Sequence, residues 1–434
     1  MNKPAAIIDR AIFIFSFLFY TGSLNFFGGI SAADNPTLKN AASESSTPIL
    51  SLFQLIVYAA TVWMVGSRFK QTLYVLTKRK FCLAFVLLVL LSFLWSAVPD
   101  ATLRRAIVFL VITLLGLSFS VRYTLREQLF LLAGAMGIAI LINVVFTIGF
   151  PWAAIESGEH QGAWRGVYSQ KNVFARAMVL SGVTFLLAAI ESRRRQFLFW
   201  GGLAISVLLI LLSTSKGALV IFFVLAMLVQ LFRAFRSKNS LVLPLIIVGV
   251  LVGGSAVLLL IENSETIVRI LGRDLTLTGR TGIWSVVVSK IAQKPWLGYG
   301  YRGFWRGMEG ESIDVWYETF FLAPNAHNGY LDLLVELGII GFSCFALSFS
   351  KSCMRAIAWL RLNSGGAGLL PIMYLMFLIL YNLAESTILE PALFVWLLYI
   401  SITTTMLVQP IPIESAEAAQ QSLSIPTMRS LSDV

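Results

Sequence analysis

The sequence contains few charged residues and few of the side chains that bind metals or form disulfides. Only 13% of its 434 residues are charged, it has three cysteines and two histidines, and its mean hydropathy is +0.81. A soluble globular domain carries about twice that share of charge, so this composition excludes a large soluble enzyme. The cysteines lie in or beside apolar runs without the spacing of a disulfide pair or a zinc site, and we expect them to be small core residues: Cys82, Cys344 and Cys353.

The excess of positive charge, a formal net +11, is typical of proteins that bind nucleic acid. The positive residues here, however, lie in short loops between apolar runs, as membrane topology demands. The sequence therefore predicts an all-α polytopic membrane protein with membrane lipids around it and no nucleic-acid partner.

About twelve segments are long and apolar enough to cross a bilayer, which takes roughly 20 residues. They cover residues 11–30, 49–67, 81–98, 103–121, 128–150, 173–190, 197–213, 217–232, 241–261, 329–350, 368–384 and 391–409. No signal-peptide cleavage site follows the first segment cleanly, so we expect it to act as its own insertion signal. The break at Thr214-Ser215-Lys216 predicts a tight hairpin between two spans.

The distribution of lysine and arginine predicts the orientation of these spans. With the N-terminus inside, most of the positively charged loops face the cytoplasm and one long polar stretch faces outward. Both termini are then cytoplasmic. The predicted regions are transmembrane helices 1–9 in residues 1–261, a large periplasmic loop at 262–328, helices 10–12 in 329–409 and a disordered tail at 410–434.

The predicted outer loop carries seven lysines and arginines and one of the two histidines, and an anionic substrate is the best reason for such cations. Arg280 precedes an amphipathic helix that we expect to begin with Thr281 as its N-cap and to leave Lys290 off the apolar face. A cation at a helix start is well placed for an anion. The apolar face consists of Ile283, Trp284, Val287, Val288 and Ile291.

A second outer segment, residues 151–172, places Arg165 shortly before a span and Lys171 at its start, with Arg176 one turn further in. Cations near a helix N-terminus are electrostatically unfavourable, which is acceptable where an anion binds. Arginine grips phosphate oxygens bidentately and lysine supplies a point charge. The alternative is that these residues are anchors that contact lipid headgroups.

His327 lies directly before the tenth predicted span, after Pro324 and Asn325. A neutral imidazole can accept a proton from a hydroxyl near neutral pH, so His327 is the candidate catalytic base. His160 lacks such a setting, and we expect it to be a solvated loop residue.

Aromatic and acidic side chains alternate in the outer segments. Trp164, Trp305, Glu309 and Trp316 are candidate sugar contacts, through ring stacking and hydrogen bonds to hydroxyls. The alternative is a solvated loop with aromatics at the membrane interface. Asp332 and Glu336, one turn apart on the tenth span, are expected to form hydrogen bonds inside the bundle or to serve function. No residues have metal-ligand spacing, so we predict no metal.

Three motifs resemble those of a known family. His327-Asn328, followed by Gly338 and Gly341, resembles the signature of the O-antigen ligase and polymerase superfamily. Two upstream motifs are similar to those of the same family: Thr278-Gly279-Arg280-Thr281-x-x-Trp284 and Pro295-x-Leu297-Gly298-x-Gly300. One further pair looks most like the exopolysaccharide-production, ExoQ-type branch: Gly162-Ala163-Trp164-Arg165-Gly166 and Lys171-Asn172.

The resemblance implies about twelve helices in a GT-C-like arrangement in the bacterial inner membrane. It implies transfer of an undecaprenyl-diphosphate-linked glycan to an acceptor sugar, with no metal, nucleotide sugar or other cofactor. Arg165 and Arg280, with Lys171, would hold the diphosphate, and His327 would assist deprotonation of the acceptor hydroxyl. A flippase and a chain-length regulator would be partners.

Three functions stay open at this point. The first is a polymerase that joins lipid-linked repeats, favoured by the Trp164-Arg165 motif. The second is a ligase of the same chemistry that transfers finished glycan to a lipid acceptor. The third is a transporter of anionic or lipid-linked sugars. Many transporters consist of two related halves, and here only the second half carries a large outer loop, which argues against the third function.

Overall fold

The structure is a computed structural model that describes residues 3–28, 47–235, 280–321, 323–389 and 393–409. In these parts of the chain the regular elements are helices, which confirms the all-α prediction. The predicted ninth span at 241–261, the first part of the predicted outer loop at 262–279 and the predicted tail at 410–434 lie outside the described residues.

The helices follow the predicted apolar segments closely, with additions in the loops. They are α1 (Lys3–Tyr20), α2 (Pro48–Ser67), α3 (Phe69–Lys78), α4 (Lys80–Leu91), α5 (Pro99–Ser120), α6 (Leu125–Gly149), α7 (Pro151–Ala154), α8 (Lys171–Glu191), α9 (Gln196–Leu212), α10 (Lys216–Phe235), α11 (Arg280–Gln293), α12 (Ile313–Thr319), α13 (Gly329–Leu362), α14 (Gly365–Ala384) and α15 (Phe394–Val408). The predicted hairpin at 214–216 is present as the short connection between α9 and α10.

Within the described residues, seven helices are long and apolar enough to cross a membrane: α2, α5, α6, α8, α10, α13 and α14. Three shorter apolar helices accompany them, over Lys80–Leu94, Gln196–Leu212 and Phe394–Val408. The chain is therefore a multi-pass membrane protein, and the number of twelve spans stays a prediction.

The first predicted span, 11–30, is wrong in its position. The helix α1 begins at Lys3 and ends at Tyr20, and a turn with Gly22 at a φ of 82° follows it. The Thr21 hydroxyl donates to the Leu18 carbonyl at 3.0 Å, one of the local bonds by which hydroxyl side chains compete with a continuing helix. The segment after α2, between two predicted spans, contains a further helix, α3, which buries one face through Thr72 and Val75.

The helix α8 lies at the centre of the bundle. Every residue from 174 to 189 is buried, and the helix packs against α6, α9, α10 and α14. Its first turn is consequently surrounded by the ends of neighbouring helices. The site described below forms at this end of α8.

The helix α13 is interrupted at Gly338, whose φ is 63°. An interrupted helix inside a membrane protein leaves backbone groups that need protein partners. Residues 295–300 pass beside the break and supply them: Tyr299 N–H donates to Val335 O at 3.0 Å, Gly300 N–H to Glu336 O at 2.8 Å, and Ile339 N–H to Pro295 O at 2.8 Å.

Two glycines allow this close approach of backbones. A Cβ at Gly338 would lie 2.2 Å from the Trp296 carbonyl oxygen, and a Cβ at Gly298 would lie 2.6 Å from the Glu336 backbone. Both glycines also have positive φ, which other residues rarely adopt. The motif around Gly298 and the signature glycine Gly338 therefore contact each other.

The predicted amphipathic helix is α11, but its start and its buried face differ from the prediction. It begins at Arg280 rather than after an N-cap at Thr281, and it buries Lys290 while leaving Val288 exposed. Lys290 Nζ lies 2.5 Å from Glu311 Oε2 and 2.6 Å from Asp314 Oδ2. Burial alone would lower the pKa of Lys290, but these carboxylates raise it, so the buried ammonium stays charged and holds α12 against α11.

Candidate active site around Glu385

Glu385, the residue after α14, contacts side chains from three other segments of the chain. Its Oε1 accepts hydrogen bonds from Asn172 Nδ2 at 3.2 Å and Arg280 Nη2 at 3.3 Å, and its Oε2 lies 3.1 Å from His327 Nδ1. We call these four residues the Glu385 cluster. The cluster brings the predicted catalytic histidine together with one predicted diphosphate-binding arginine.

The charges around Glu385 determine its protonation. Burial raises the pKa of this carboxyl, but the hydrogen bond from His327 and the positive charges of Arg280 and Arg176 lower it, and the pKa lies below its usual value. Glu385 is therefore an anion at neutral pH. An ionised carboxylate only accepts hydrogen bonds, so the His327 Nδ1 atom is the donor in their contact.

The backbone holds His327 in an uncommon conformation. Its φ is 49°, in the left-handed region, and its N–H donates to Asn325 Oδ1 at 2.9 Å. The next residue, Asn328, caps α13 by accepting from the N–H groups of Tyr330 and Leu331. Such strain costs on the order of 1 kcal/mol and is found at functional sites. With Nδ1 held by Glu385, the opposite ring nitrogen, Nε2, is the one left to face a substrate.

Arg280 is fixed at the start of α11 by two contacts. Its Nη1 donates to the Ala384 carbonyl at 2.6 Å and its Nη2 donates to Glu385 at 3.3 Å. A guanidinium has five N–H groups, so these two contacts leave further donors for an anion. The side chain is 25% exposed, so a ligand can reach it.

The first turn of α8 completes the cluster. Glu156 Oε1 accepts the Lys171 N–H at 2.8 Å, which fixes the start of the helix. Asn172 donates to Glu385 and accepts from the Ser215 hydroxyl at 3.0 Å, so it connects α8 with the start of α10. Lys171 therefore lies next to a cluster residue, and its predicted contact with diphosphate stays a prediction.

Arg165 lies in the loop before α8. Its N–H donates to the Ala154 carbonyl at 2.9 Å, and its Nη1 donates to the Ser169 carbonyl at 3.3 Å. Its Nε is buried and has no hydrogen-bond partner among the described residues. Among the described residues, no hydrogen bond or ion pair joins Arg165 to the Glu385 cluster. Its predicted contact with the diphosphate stays a prediction.

The candidate sugar contacts are separated. Trp164 packs against the main core, and its backbone N–H donates to the Leu212 carbonyl at 2.9 Å. Trp305 donates its indole N–H to Asp332 at 2.8 Å. Glu309 is exposed in the loop before α12. Trp316 packs against Tyr317 and Phe320 on α12. Sugar binding by these four residues stays a prediction.

Asp332 fixes the relative position of His327 and Glu385. Its buried carboxylate accepts the Ala326 N–H at 3.0 Å and also the Ser386 hydroxyl. Ala326 precedes His327 and Ser386 follows Glu385, so one carboxylate holds both segments. Glu336 accepts the Arg302 N–H at 2.8 Å. The prediction that these two acids form hydrogen bonds inside the bundle is confirmed.

Sequence reasoning missed Glu385 and the roles of Asn172 and Ser386. One signal was available for Glu385, since it directly follows an apolar span and an acid at such a position is a functional candidate. The sequence gives no sign that Glu385 pairs with residues 58 and 105 positions earlier.

The fold and the cluster together define a multi-pass helical membrane protein with an imidazole and a guanidinium on one carboxylate at one end of its helices. The family model described as O-Antigen ligase matches residues 201–346 of this chain. The resemblance predicted from the motifs is thereby confirmed.

Three relatives agree with this family. The chain is 27% identical to the exopolysaccharide production protein ExoQ of Rhizobium meliloti over 59% of this chain and 60% of that protein. It is 26% identical to a general O-oligosaccharyltransferase of Acinetobacter baylyi over 53% of this chain and 43% of that protein. It is 33% identical to a putative polysaccharide ligase of Rickettsia conorii over 21% of this chain and 24% of that protein. The matches thus span 60% or less of each relative's length.

Proposed function

We propose that this protein is a glycosyltransferase that joins undecaprenyl-diphosphate-linked oligosaccharide repeats into an exopolysaccharide. The reaction takes place on the periplasmic face of the bacterial inner membrane. The observation that carries the proposal is the Glu385 cluster, because it combines an anion-binding guanidinium with an imidazole oriented by a carboxylate. The similarity to a protein named for exopolysaccharide production supports the choice of product class.

His327 acts as the base in this reaction. Glu385 accepts the Nδ1 proton and so selects the tautomer in which Nε2 carries a free lone pair. Nε2 takes the proton of the acceptor hydroxyl while the hydroxyl oxygen attacks the anomeric carbon of the donor. The bond between that carbon and the diphosphate oxygen breaks, and the lipid diphosphate leaves with the electron pair. Attack opposite the leaving group inverts the anomeric centre.

Arg280 acts on the leaving group. Negative charge develops on the diphosphate as its bond to the sugar breaks, and a fixed guanidinium stabilises that charge without reorganising. Its contacts with Ala384 and Glu385 hold it in place before the substrate arrives. Arg165 and Lys171 supply further positive charge, while Trp164, Trp305, Glu309 and Trp316 contact the sugars.

The test is reconstitution of the full chain in liposomes with a lipid-diphosphate-linked repeat as the only substrate. The products are separated on a gel. A ladder of increasing length, together with released lipid diphosphate, is the expected result.

A flippase and a chain-length regulator are the proposed partners, and adding the regulator is expected to change the length distribution of the polymer.

A ligase that transfers glycan to a different acceptor is the second candidate. The similarity to a general O-oligosaccharyltransferase and to a putative polysaccharide ligase favours it. In that case the donor alone gives no ladder, and adding an acceptor gives a single transferred product. Labelled donor that crosses the membrane without forming any covalent product would instead identify a transporter of lipid-linked sugars.

A further inference from the structure

A cavity of about 290 Å³ lies at the far end of α8 from the Glu385 cluster. The helix has 21 residues, which at about 1.5 Å each span the roughly 30 Å hydrocarbon core of a bilayer. The cavity and the cluster therefore face opposite leaflets. The last turn of α8, the start of α9 and the end of α10 form its walls.

The polar side of this cavity is positively charged. Arg193 and Arg233 both line it, and neither forms an ion pair with a carboxylate in the described parts of the chain. Gln230 accepts a hydrogen bond from Arg233 at 3.0 Å, which fixes the guanidinium. Glu191, the acid at the end of α8, is already paired with Arg126 at 2.8 Å. Two guanidinium groups that face one cavity without a counter-ion match an anion with several oxygens.

The backbone adds to this charge. Gln196 lines the cavity and is the first residue of α9, so the positive end of that helix points to the same space. The N–H of Gln196 donates to the Arg193 carbonyl at 3.4 Å, so the N–H groups of Phe197 and Leu198 are the ones without an acceptor among the described residues. Such first-turn N–H groups bind phosphate at other helix starts.

The surroundings of the cavity are apolar and exposed. Leu186, Ala189 and Ile190 of α8 line it. Trp200 of α9 also lines it, and Phe197, three residues earlier on the same helix, is 95% exposed. Tryptophan is enriched where the membrane meets water. A ligand with a polar head and apolar chains fits this arrangement, with the chains along the exposed apolar faces of α9 and α10.

We infer that this cavity binds the phosphate headgroup of an anionic phospholipid in the leaflet opposite the Glu385 cluster. Arg193 and Arg233 contact the phosphate oxygens. The Gln196 side chain and the N–H groups of Phe197 and Leu198 donate further hydrogen bonds, and Trp200 packs against the glycerol region. Basic cavities between transmembrane helices are known sites for anionic headgroups. The inference does not depend on the proposed function.

The test measures lipid binding to the purified full chain by native mass spectrometry. Phosphatidylglycerol and phosphatidylcholine are offered in equal amounts. The variant Arg193→Gln/Arg233→Gln is compared with Arg194→Gln/Arg195→Gln, which removes the same charge from the same end without touching the cavity lining. We expect phosphatidylglycerol to be preferred, its binding to fall about tenfold in the first variant and to change less than about twofold in the second.

Equal losses in the two variants would overturn the inference, because they would show a diffuse attraction to the basic surface. Unchanged binding in the cavity variant would also overturn it. Inorganic phosphate serves as a separate probe, and its displacement of the lipid at millimolar concentration would identify a soluble anion as the ligand instead. The variant Arg193→Lys/Arg233→Lys keeps the charge and is expected to retain part of the binding, which separates ligand contact from misfolding.

Discussion

At the scale of single residues, the chemistry depends on which nitrogen of His327 is held. The 3.1 Å contact between its Nδ1 and Glu385 occupies that atom and leaves Nε2 for the acceptor hydroxyl of the proposed reaction. Arg280 contacts the same carboxylate, so the proposed base and the proposed diphosphate contact are held by one residue. Substitution of His327 consequently tests proton transfer, and substitution of Arg280 tests stabilisation of the leaving group's charge. Substitution of Glu385 tests the orientation of the imidazole.

Replacing His327 by alanine is expected to lower the rate of glycosyl transfer by about 10²- to 10⁴-fold, the usual contribution of a positioned base. The matched control is His160→Ala, since the only other histidine lies exposed in a loop. Polymer formation by equal amounts of membrane-inserted protein is the measurement. A normal ladder from the His327 variant would exclude its role as base.

Replacing Arg280 by lysine is expected to reduce the rate about 10²-fold, although the charge is kept. A single ammonium cannot reproduce the planar fork that contacts Ala384, Glu385 and a diphosphate together. Arg104→Lys, an exposed position on α5, is the control. Transfer at the full rate with lysine at position 280 would rule out a bidentate grip.

Replacing Glu385 by glutamine is expected to lower the transfer rate at least about tenfold at neutral pH, because an amide can donate to Nδ1 and so select the wrong tautomer of His327. Glu385→Asp keeps the charge and should restore part of the rate. Glu127→Gln is the control, since glutamine also completes the capping box at the start of α6. If the glutamine and aspartate variants were equally impaired, orientation by charge would be refuted.

The same carboxyl predicts a pH dependence of stability. The folded-state pKa of Glu385 lies below its usual value of 4.5, so its contacts stabilise the fold above that pH and are lost as the pH falls through the folded-state pKa. We expect the melting temperature of the native protein to exceed that of Glu385→Gln from about pH 5 upward and the difference to shrink below it. Melting curves of the two proteins across this range measure the effect. A difference independent of pH would contradict it.

At the scale of elements, the break in α13 determines where the site can form. Residues 295–300 bind the backbone on both sides of Gly338, and the same helix carries Asp332, which holds the segments next to His327 and Glu385. The loop after α11 and the start of α13 are thus one packed unit. A change at the break should therefore affect stability and activity together.

Gly338→Ala is expected to destabilise the protein by about 2 kcal/mol or more, because the new Cβ would lie 2.2 Å from the Trp296 carbonyl at a positive φ. Gly134→Ala is the matched control on α6, where nothing lies within 4 Å of the new Cβ. There the substitution should be neutral or stabilising by about 0.5–1 kcal/mol. Thermal unfolding in detergent gives both values. Equal stability of the two variants would show that the interruption tolerates a side chain.

At the scale of the whole molecule, two ends of the bundle have different chemistry. One end holds the Glu385 cluster, and the other holds the cavity with Arg193 and Arg233. The helix α8 connects them and is buried along its length. The proposed reaction with a lipid-linked donor would then use one leaflet, while the proposed binding of anionic lipid uses the other.

The predicted orientation is tested by accessibility of introduced cysteines after Cys82, Cys344 and Cys353 are replaced by serine. Glu309→Cys, in the loop before α12, should react with an impermeant reagent added to spheroplasts. Arg194→Cys, in the loop between α8 and α9, should react only after lysis, because positively charged loops stay in the cytoplasm. The opposite pattern would invert the orientation and remove the periplasmic assignment.

Part of the candidate site was readable from single residues in the chain. The sequence predicts roles for His327 and Arg280 because each lies at the start of a helix, Arg280 as the first residue of α11 and His327 just before the N-cap of α13. A cation at a helix start is well placed to bind an anion. Lys290 was assigned to the wrong face of α11, since its buried position depends on Glu311 and Asp314 in another segment. The apolar periodicity of a helix cannot show that a charged residue is buried by an ion pair with another segment.

The sequence by itself determined the all-helical membrane class, most helix bounds and the glycine motifs, because apolar length, loop charge and positive-φ positions are local properties of the chain. It could not show that α8 is buried from residue 174 to residue 189 while α2 is largely exposed, since both helices are apolar along most of their length. The tertiary structure alone decided that Glu385 meets His327 and Arg280, and that residues 295–300 fill the break at Gly338. Such contacts depend on which helix ends the packing brings together, and no local pattern records that.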